Sequence, residues 1–276
     1  MSELTDPRYL VGEQYKDATN LNARIQLHQR FSTNKYDWQR WVFDHLSIPQ
    51  NGRILEIGCG PGELWHRNRE RIPEHWDITL SDLSPGMLQE AQRNLQSIPG
   101  RFAFRQMDAQ SIPFDDEYFD AVIANHMLYH VPDRAKALLE IRRVLRSGGR
   151  FYAATNGLKH LSELKEIVNR FDADTKTLWG DASPLPFRLE NGSTELARWF
   201  SHVTVHHYEN ALTVTEADPL VSYLLSTSLA TALSGEKITL LREFLRRELT
   251  TNGAIHITKE TGLFEAFMRA SSIHNN

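Results

Sequence analysis

Three glycines alternate with other residues in the loop Gly58–Gly62, which reads G-x-G-x-G. Glycine has no side chain, so such a loop turns tightly and lets a ligand contact bare backbone. Glu56 precedes the loop and Glu63 follows it. These acids would repel a diphosphate and attract a cationic group. The loop therefore favours a cationic ligand over a dinucleotide, for which the spacing G-x-G-x-x-G is typical.

A further acid, Asp82, lies 20 residues past Gly62, where an apolar run over 77–82 ends. An acid at that distance from a glycine loop can accept hydrogen bonds from both hydroxyls of a ribose. Together, the loop and Asp82 favour a ligand with a ribose, no phosphate and a cationic end. S-adenosylmethionine has all three features, and its sulfonium methyl reacts by in-line displacement without a metal.

Residues 125–130 read NHMLYH and contain the side chains that can remove a proton. A histidine titrates near neutral pH, so His126 and His130 are candidate general bases for a hydroxyl, phenol or acidic carbon. They are four residues apart and would face one side if the chain is helical there. Packing roles for both histidines stay open. Tyr129 is the third catalytic candidate, with a pocket wall as its alternative role.

The elements that must position these residues are short and alternate in type. Ser84 and Asp133 are predicted N-caps of two helices, over 84–95 and 133–149, and Gly148 is predicted to close the second. Strands and helices in alternation predict a Rossmann-like, doubly wound α/β fold with a mostly parallel seven-stranded sheet and helices on both faces. The predicted strands are 53–58, 77–82, 102–108, 119–128, 148–156, 202–208 and 254–258, with later helices at 160–171 and 238–249 and a loop at 179–192.

The 276 residues are predicted to form a single domain. Its parts are a helical N-terminal lead-in, a cofactor-binding core, a cover insertion over the site, and the last strands and helices. Their bounds are 1–50, 51–156, 157–200 and 201–276. Four aromatic residues of the cover are candidates for the lining of an apolar substrate pocket, with simple core packing as the alternative: Trp179, Phe187, Trp199 and Phe200.

These motifs resemble those of class I S-adenosylmethionine-dependent methyltransferases that act on small molecules, of the methyltransferase type 11 kind. Five motifs of that family occur in order across residues 53–152. The matching positions are Glu56, Gly58, Gly60 and Gly62; Asp82, Ser84, Met87 and Leu88; Asp108, Ala109, Pro113 and Phe114; residues 119–133; and residues 140–152.

The resemblance implies the cofactor contacts. It places Asp108 and Ala109 against the adenine and Asn125 beside the methionine moiety. Residues 9–36 resemble one subgroup in which this segment folds over the cofactor, which implies Tyr15 and Arg24 near the methionine carboxylate; a guanidinium can bind a carboxylate through two hydrogen bonds. The predicted cofactor-binding residues are Tyr15, Arg24, Glu56, Gly58, Cys59, Gly60, Gly62, Asp82, Leu83, Met87, Asp108, Ala109 and Asn125.

Composition narrows the class of protein. A net charge of −4 disfavours a nucleic-acid binder, and a single cysteine, Cys59, excludes an intramolecular disulfide and a multi-cysteine zinc site. No H-E-x-x-H or C-x-x-C motif occurs, so no metal is predicted. The polar start and the Ser- and Thr-containing apolar run 219–233 predict a cytoplasmic protein without membrane insertion. A small-molecule substrate is the expected partner, and the oligomeric state stays open.

The predicted reaction is methyl transfer to an O, N or C atom of a small molecule. Secondary metabolites are one class of acceptor that fits this prediction. An NAD(P)-dependent oxidoreductase is one alternative, although the loop spacing and its acids oppose it. A methyltransferase acting on a macromolecule is another, although the position after the fourth strand reads ANHM and not the N/D-P-P-Y/F motif of base methylation. A non-catalytic cofactor sensor is the third.

Overall fold

The computed structural model describes residues 5–16, 19–98, 102–174, 186–233 and 235–268, without the side chains of residues 228 and 231. Seven strands form one sheet in the order β3-β2-β1-β4-β5-β7-β6. The strands are β1 Arg53–Ile57, β2 Asp77–Asp82, β3 Phe102–Gln106, β4 Phe119–Asn125, β5 Leu145–Asn156, β6 His202–Val214 and β7 Ile255–Phe267. The helices are α1 Pro7–Tyr9, α2 Thr19–Phe31, α3 Trp38–Asp44, α4 Glu63–Arg67, α5 Pro85–Leu95, α6 Arg134–Val144, α7 Ser162–Phe171, α8 Leu189–Leu196, α9 Ala217–Leu225 and α10 Glu236–Asn252.

The sheet confirms the predicted seven-stranded, mostly parallel α/β architecture. Strands β1 to β5 pair in parallel, and β7 runs antiparallel between β5 and β6. Strand order reverses between β1 and β4, which is where the loops after the two strands separate and leave a crevice. The glycine loop after β1 and residues 125–130 after β4 therefore face each other across it.

Side chains alternate between two cores on opposite faces of the sheet. Leu55 and Ile57 of β1 pack into one core with α6, whereas Ile54 packs into the other with α3, α4 and α5. Both faces of the central strands are therefore covered, as the near-continuous apolar strands predict.

A third core lies beyond the sheet. Residues 255–260 of β7 pair only with β6, because the pairing of β5 with β7 ends at Asn156 and Thr261. This projecting hairpin packs with α2, α7, α9 and α10 around a buried cluster that includes Leu27, Leu164 and Leu220. The projection builds a helical layer over the end of the sheet where the site lies.

Several predicted elements differ in extent from the observed ones: β4 ends at Asn125, β6 continues to Val214 and β7 continues to Phe267. The helix predicted over 133–149 ends at Val144, because buried Leu145 already pairs with Phe119 as the first residue of β5. Gly148 therefore lies within a strand and does not close the helix. The predicted loop 179–192 becomes helical at Leu189; residues 179–185 lie outside the described residues.

The predicted cover at 157–200 is described only in part, because residues 175–185 lie outside the described residues. In the described part of that segment, only His160 borders the central cavity, whereas residues of the range 7–39 contribute a large share of its lining. The predicted cover therefore stays a prediction. Phe187 and Phe200 are 1% and 3% exposed in the core under the sheet, Trp199 packs against that core, and Trp179 lies outside the described residues.

Candidate functional site

A cavity of about 560 Å³ opens at the carboxyl ends of β1, β2 and β4. Its floor is the glycine loop and the segment after β4, and its cover is the N-terminal segment with α2. The far wall comes from the projecting part of β7 and from β6. All thirteen predicted cofactor residues except Gly62, and all three catalytic candidates, border this cavity.

The backbone of the glycine loop requires glycine. Gly58, Gly60 and Gly62 have φ values of 68°, 53° and 78°, in the left-handed region that side chains disfavour. A Cβ at Gly58 would lie 2.7 Å from Cβ of Met127. Gly62 does not border the cavity and serves instead as the N-cap of α4.

Asp82 holds the glycine loop against β2. Its Oδ2 accepts a hydrogen bond from the backbone nitrogen of Gly60 at 2.9 Å, and its Oδ1 accepts one from Ser84 at 2.9 Å. Burial raises the pKa of Asp82, and these backbone donors oppose the shift. Leu83 and Met87 border the cavity beside it.

Glu56 is a buried carboxyl group at the floor of the cavity. Trp65 Nε1 donates to its Oε2 at 2.6 Å and Asn125 Nδ2 to its Oε1 at 3.5 Å. Burial raises the pKa of Glu56 to about 8, so the free site carries a proton here at neutral pH. The Oδ1 atom of Asn125 is buried and has no partner among the described residues. A bound cation would favour the Glu56 carboxylate, and a bound donor would satisfy Asn125.

Asp108, Ala109 and Cys59 lie near the glycine loop, and local hydrogen bonds or burial hold them in place. Both carboxylate oxygens of Asp108 accept from Nε2 of Gln110, at 3.0 and 2.9 Å. Ala109 is buried next to it. Cys59 contacts the carbonyl of Gly60 through its sulfur at 3.5 Å, and burial raises the pKa of its thiol well above its usual range. Cys59 is therefore a protonated packing residue.

The N-terminal segment is bonded to the site below it. The hydroxyl of Tyr15 lies 3.0 Å from Nε2 of His130, and the carbonyl of Tyr15 accepts from Ser84 Oγ at 2.7 Å. Arg24 donates from Nε to Ser226 Oγ at 3.0 Å, at the end of α9. These contacts place Tyr15 and Arg24 at the cavity and connect three separate parts of the chain.

The structure brings the three catalytic candidates to the cavity in different environments. The helical turn is a 3-10 turn over Leu128–His130, so His126 precedes it, in a left-handed backbone with φ 52°. The two histidines thus do not share a helix face. Burial lowers the pKa of His126 to about 4, and burial raises the pKa of the Tyr129 hydroxyl above its usual range. His130 alone faces Tyr15.

Several lining residues were not predicted because no motif carries them. His28 from α2 and His160 after β5 have ring centroids 6.5 Å apart, and Lys259 of β7 borders the same part of the cavity. Trp38, Tyr208 and Tyr223 complete its aromatic wall, as the cavity lining includes all three. These residues are far apart in the sequence, between positions 28 and 259. Only tertiary packing brings them together.

The described residues contain neither a candidate metal site nor a membrane-spanning helix. Across the described ranges, no group of three or more His, Cys, Asp or Glu side chains could hold a metal ion. No helix in the part of the chain that the structure describes is long and apolar enough to cross a membrane.

Comparison with known proteins agrees with this geometry. Residues 55–153 match the family described as Methyltransferase domain. The chain is 29% identical over 136 residues to the ubiquinone/menaquinone biosynthesis C-methyltransferase UbiE of Proteus mirabilis, covering 49% of this chain and 54% of that protein. It thus spans about half the length of the curated relatives it matches.

Solved structures share the fold over a longer stretch. Haemonchus contortus phosphoethanolamine N-methyltransferase 2, in complex with phosphomonomethylethanolamine and S-adenosylhomocysteine, aligns with a TM-score of 0.59 and 18% identity, covering 98% of this chain and 61% of that one. The cyclase SpnF aligns with a TM-score of 0.58 and 17% identity, covering 94% and 95%. At this identity the likeness concerns the fold alone. Over residues 55–153 the chain therefore matches a methyltransferase domain, and it is similar there to a C-methyltransferase.

Proposed function

We propose that the protein transfers the methyl group of S-adenosylmethionine to an O, N or C atom of a small-molecule acceptor by in-line displacement. One observation carries this proposal. A single cavity contains the acidic glycine loop at its floor and the pair of His130 and Tyr15 in its wall. A cofactor and an acceptor can therefore meet in one enclosed space, where alignment lowers the barrier to reaction.

The residues present fit the cofactor. Gly58 and Gly60 border the cavity without side chains, so a ligand can approach the backbone of the loop. Asp82 is placed to accept hydrogen bonds from a ribose, and Glu56 lies where a cationic group would be stabilised. The unpartnered Oδ1 of Asn125 needs a donor. Asp108 and Ala109 remain the proposed neighbours of the adenine, and Tyr15 and Arg24 those of the methionine carboxylate.

When bound, the cofactor supplies an electrophilic methyl group on its sulfonium. The chain aligns the acceptor, excludes water under the N-terminal cover and takes up the proton of an acidic acceptor atom. We assign the proton to His130, reached directly or through the Tyr15 hydroxyl at 3.0 Å. His126, with a pKa of about 4, is a weak base at neutral pH, so it and Tyr129 act as walls.

The alternatives are not favoured. A diphosphate binds well at the N-terminus of a long helix, but α4 has five residues and starts with Glu63. This opposes an NAD(P)-dependent oxidoreductase. The cover formed by residues 7–39 suits a small acceptor better than a polymer. The UbiE relatives are named C-methyltransferases, but the chain spans only about half of their length. The proposed acceptor atom therefore stays O, N or C. The cytoplasmic location stays a prediction.

Calorimetry with two ligands tests the proposed function. We expect S-adenosylhomocysteine to bind and NADH not to bind. Binding of NADH at micromolar concentration without binding of S-adenosylhomocysteine would contradict the proposal and favour the oxidoreductase.

A further inference from the structure

Lys259 is a cation at the cavity wall without a counter-charge. It lies on the part of β7 that projects beyond the sheet, and Thr261, two residues on and thus on the same strand face, borders the cavity as well. Among the described residues, its ammonium group has no ion pair and no hydrogen bond. The neighbouring acid, Glu260, points to the opposite face, where its Oε2 accepts from the backbone nitrogen of Lys159 at 2.8 Å.

Three histidines surround this end of the cavity. His28 comes from α2, His126 follows β4 and His160 follows β5, and burial together with the charge of Lys259 lowers the pKa of each. All three are therefore neutral at pH 7. The Nδ1 atom of His28 is buried and has no partner among the described side chains and backbone groups. Nδ1 of His160 accepts from the backbone nitrogen of Glu260 at 3.3 Å.

Lys259 lies apart from the acids at the floor of the cavity. Glu56, Asp82 and Asp108 lie on the glycine-loop side, whereas Lys259 lies on the opposite wall; other charged side chains, from the N-terminal segment and α4, also border the cavity. A half-buried cation without a partner among the described residues is costly to the fold, and a ligand that brings an anion lowers that cost. Neutral histidines can donate further hydrogen bonds to such an anion.

We propose that the acceptor carries an anionic group, a carboxylate or a phosphate, which Lys259 binds with hydrogen bonds from the histidines around it. This inference rests on the proposed methyl transfer and adds the class of acceptor. An acceptor held by its anionic end at Lys259 is oriented with its other end toward the acidic cofactor side. His130 borders the same cavity and is the proposed acceptor of the proton.

The test uses the full chain saturated with S-adenosylhomocysteine and three probes: benzoate, inorganic phosphate and the neutral benzamide. Binding is followed by calorimetry. The variants are Lys259→Met, Lys259→Arg and the control Lys136→Met, an exposed lysine on α6.

We expect at least one anionic probe to bind about tenfold more weakly to Lys259→Met than to the unchanged protein, as expected for loss of one charged hydrogen bond. Lys259→Arg retains binding, Lys136→Met is unaffected, and benzamide shows no difference between proteins. The affinities of benzoate and phosphate are then compared to decide whether the site prefers a carboxylate or a phosphate. Equal affinity of both anions for Lys259→Met and the unchanged protein, or no binding of either anion, would overturn the inference.

The same titrations separate this inference from the proposed function. If S-adenosylhomocysteine does not bind the unchanged protein, the proposed function fails first. If it binds equally to the unchanged protein and to Lys259→Met, the variant is folded and only the anion site is tested.

A pH series adds an independent readout. Burial lowers the pKa of Lys259 to about 8, and a bound anion raises it again, so anion affinity should fall as pH rises through a midpoint above 8. The titratable groups that interact with Lys259 are His28, His126 and His160, which stay neutral over that range. Lys259→Arg should remove the fall.

Discussion

The two ends of the cavity are built in opposite ways. The acidic end comes from one short stretch around β1 and β2, where Glu56, the loop 58–62 and Asp82 are joined by local hydrogen bonds. The basic end combines His28, His160 and Lys259 from three distant elements. A cofactor common to many reactions can be held by a local motif, whereas the acceptor end depends on how the chain packs. If both proposals hold, the class of acceptor depends on the residues at the basic end and not on the glycine loop.

The largest expected effect is at the acidic end, with Gly58→Ala. The new Cβ would lie 2.7 Å from Cβ of Met127 at a left-handed φ, so we expect a loss of about 3 kcal/mol in unfolding free energy. Gly148→Ala is the control, because its φ is 77° but no described atom lies within 4 Å. We expect about 1 kcal/mol there, measured by urea unfolding. Equal losses in both variants would show that the contact with Met127 is not tight.

A second prediction tests His130 as the general base. His130→Ala should lower transfer of labelled methyl from S-adenosylmethionine into a low-molecular-weight extract by about 10²-fold, the range of a lost general base. Affinity for S-adenosylhomocysteine, measured by calorimetry, should change little. His256→Ala is the control, because His256 is exposed on β7 and does not border the cavity. Unchanged transfer in His130→Ala would assign His130 a packing role only.

A third prediction concerns the ribose acid. Asp82→Ala removes a charged acceptor from the loop and from the cofactor, so affinity for S-adenosylhomocysteine should fall by about 1.5–3 kcal/mol. Asp77→Ala, at the exposed other end of β2, should leave it unchanged. Calorimetry at one pH measures both variants. If Asp82→Ala binds as well as the unchanged protein, the ribose assignment is wrong.

The smallest expected effect is the release of a proton from Glu56 when the cofactor binds. Glu56 holds a proton below its pKa of about 8, and a bound cation favours the carboxylate, so S-adenosylmethionine binding at pH 7 should release up to about one proton. Calorimetry in buffers of different ionisation enthalpy measures it. Glu56→Gln should release none, and an enthalpy independent of buffer in the unchanged protein would show that Glu56 is already ionised.

The comparison also explains what the sequence could reveal. Strand positions follow from apolar runs between turns, and Ser84 and Asp133 are N-caps as predicted, with side chains accepting from Met87 and Lys136. The end of α6 was wrong because the burial of Leu145 against β4 overrides the helical pattern. The contribution of residues 7–39 to the cavity lining had no sequence signal beyond the family resemblance, because it depends on which segment packs over the crevice.

Lys259 shows most clearly what the sequence could not indicate. In the sequence it is one lysine of a polar strand, and in the structure it is an unpaired cation in a cavity. His28 and His160 likewise had no partner at a recognisable spacing. Cys59, a predicted cofactor-binding residue, is buried between two glycines of the loop, and its role stays a prediction.

A crystal structure of the full chain with S-adenosylhomocysteine tests the central claim most directly. We predict the ligand against the loop 58–62, its ribose hydroxyls on Asp82, and its sulfur directed toward the space between His130 and Lys259. A ligand bound outside this cavity, or with its sulfur turned away from that space, would contradict the assignment of one cavity with a cofactor end and an acceptor end.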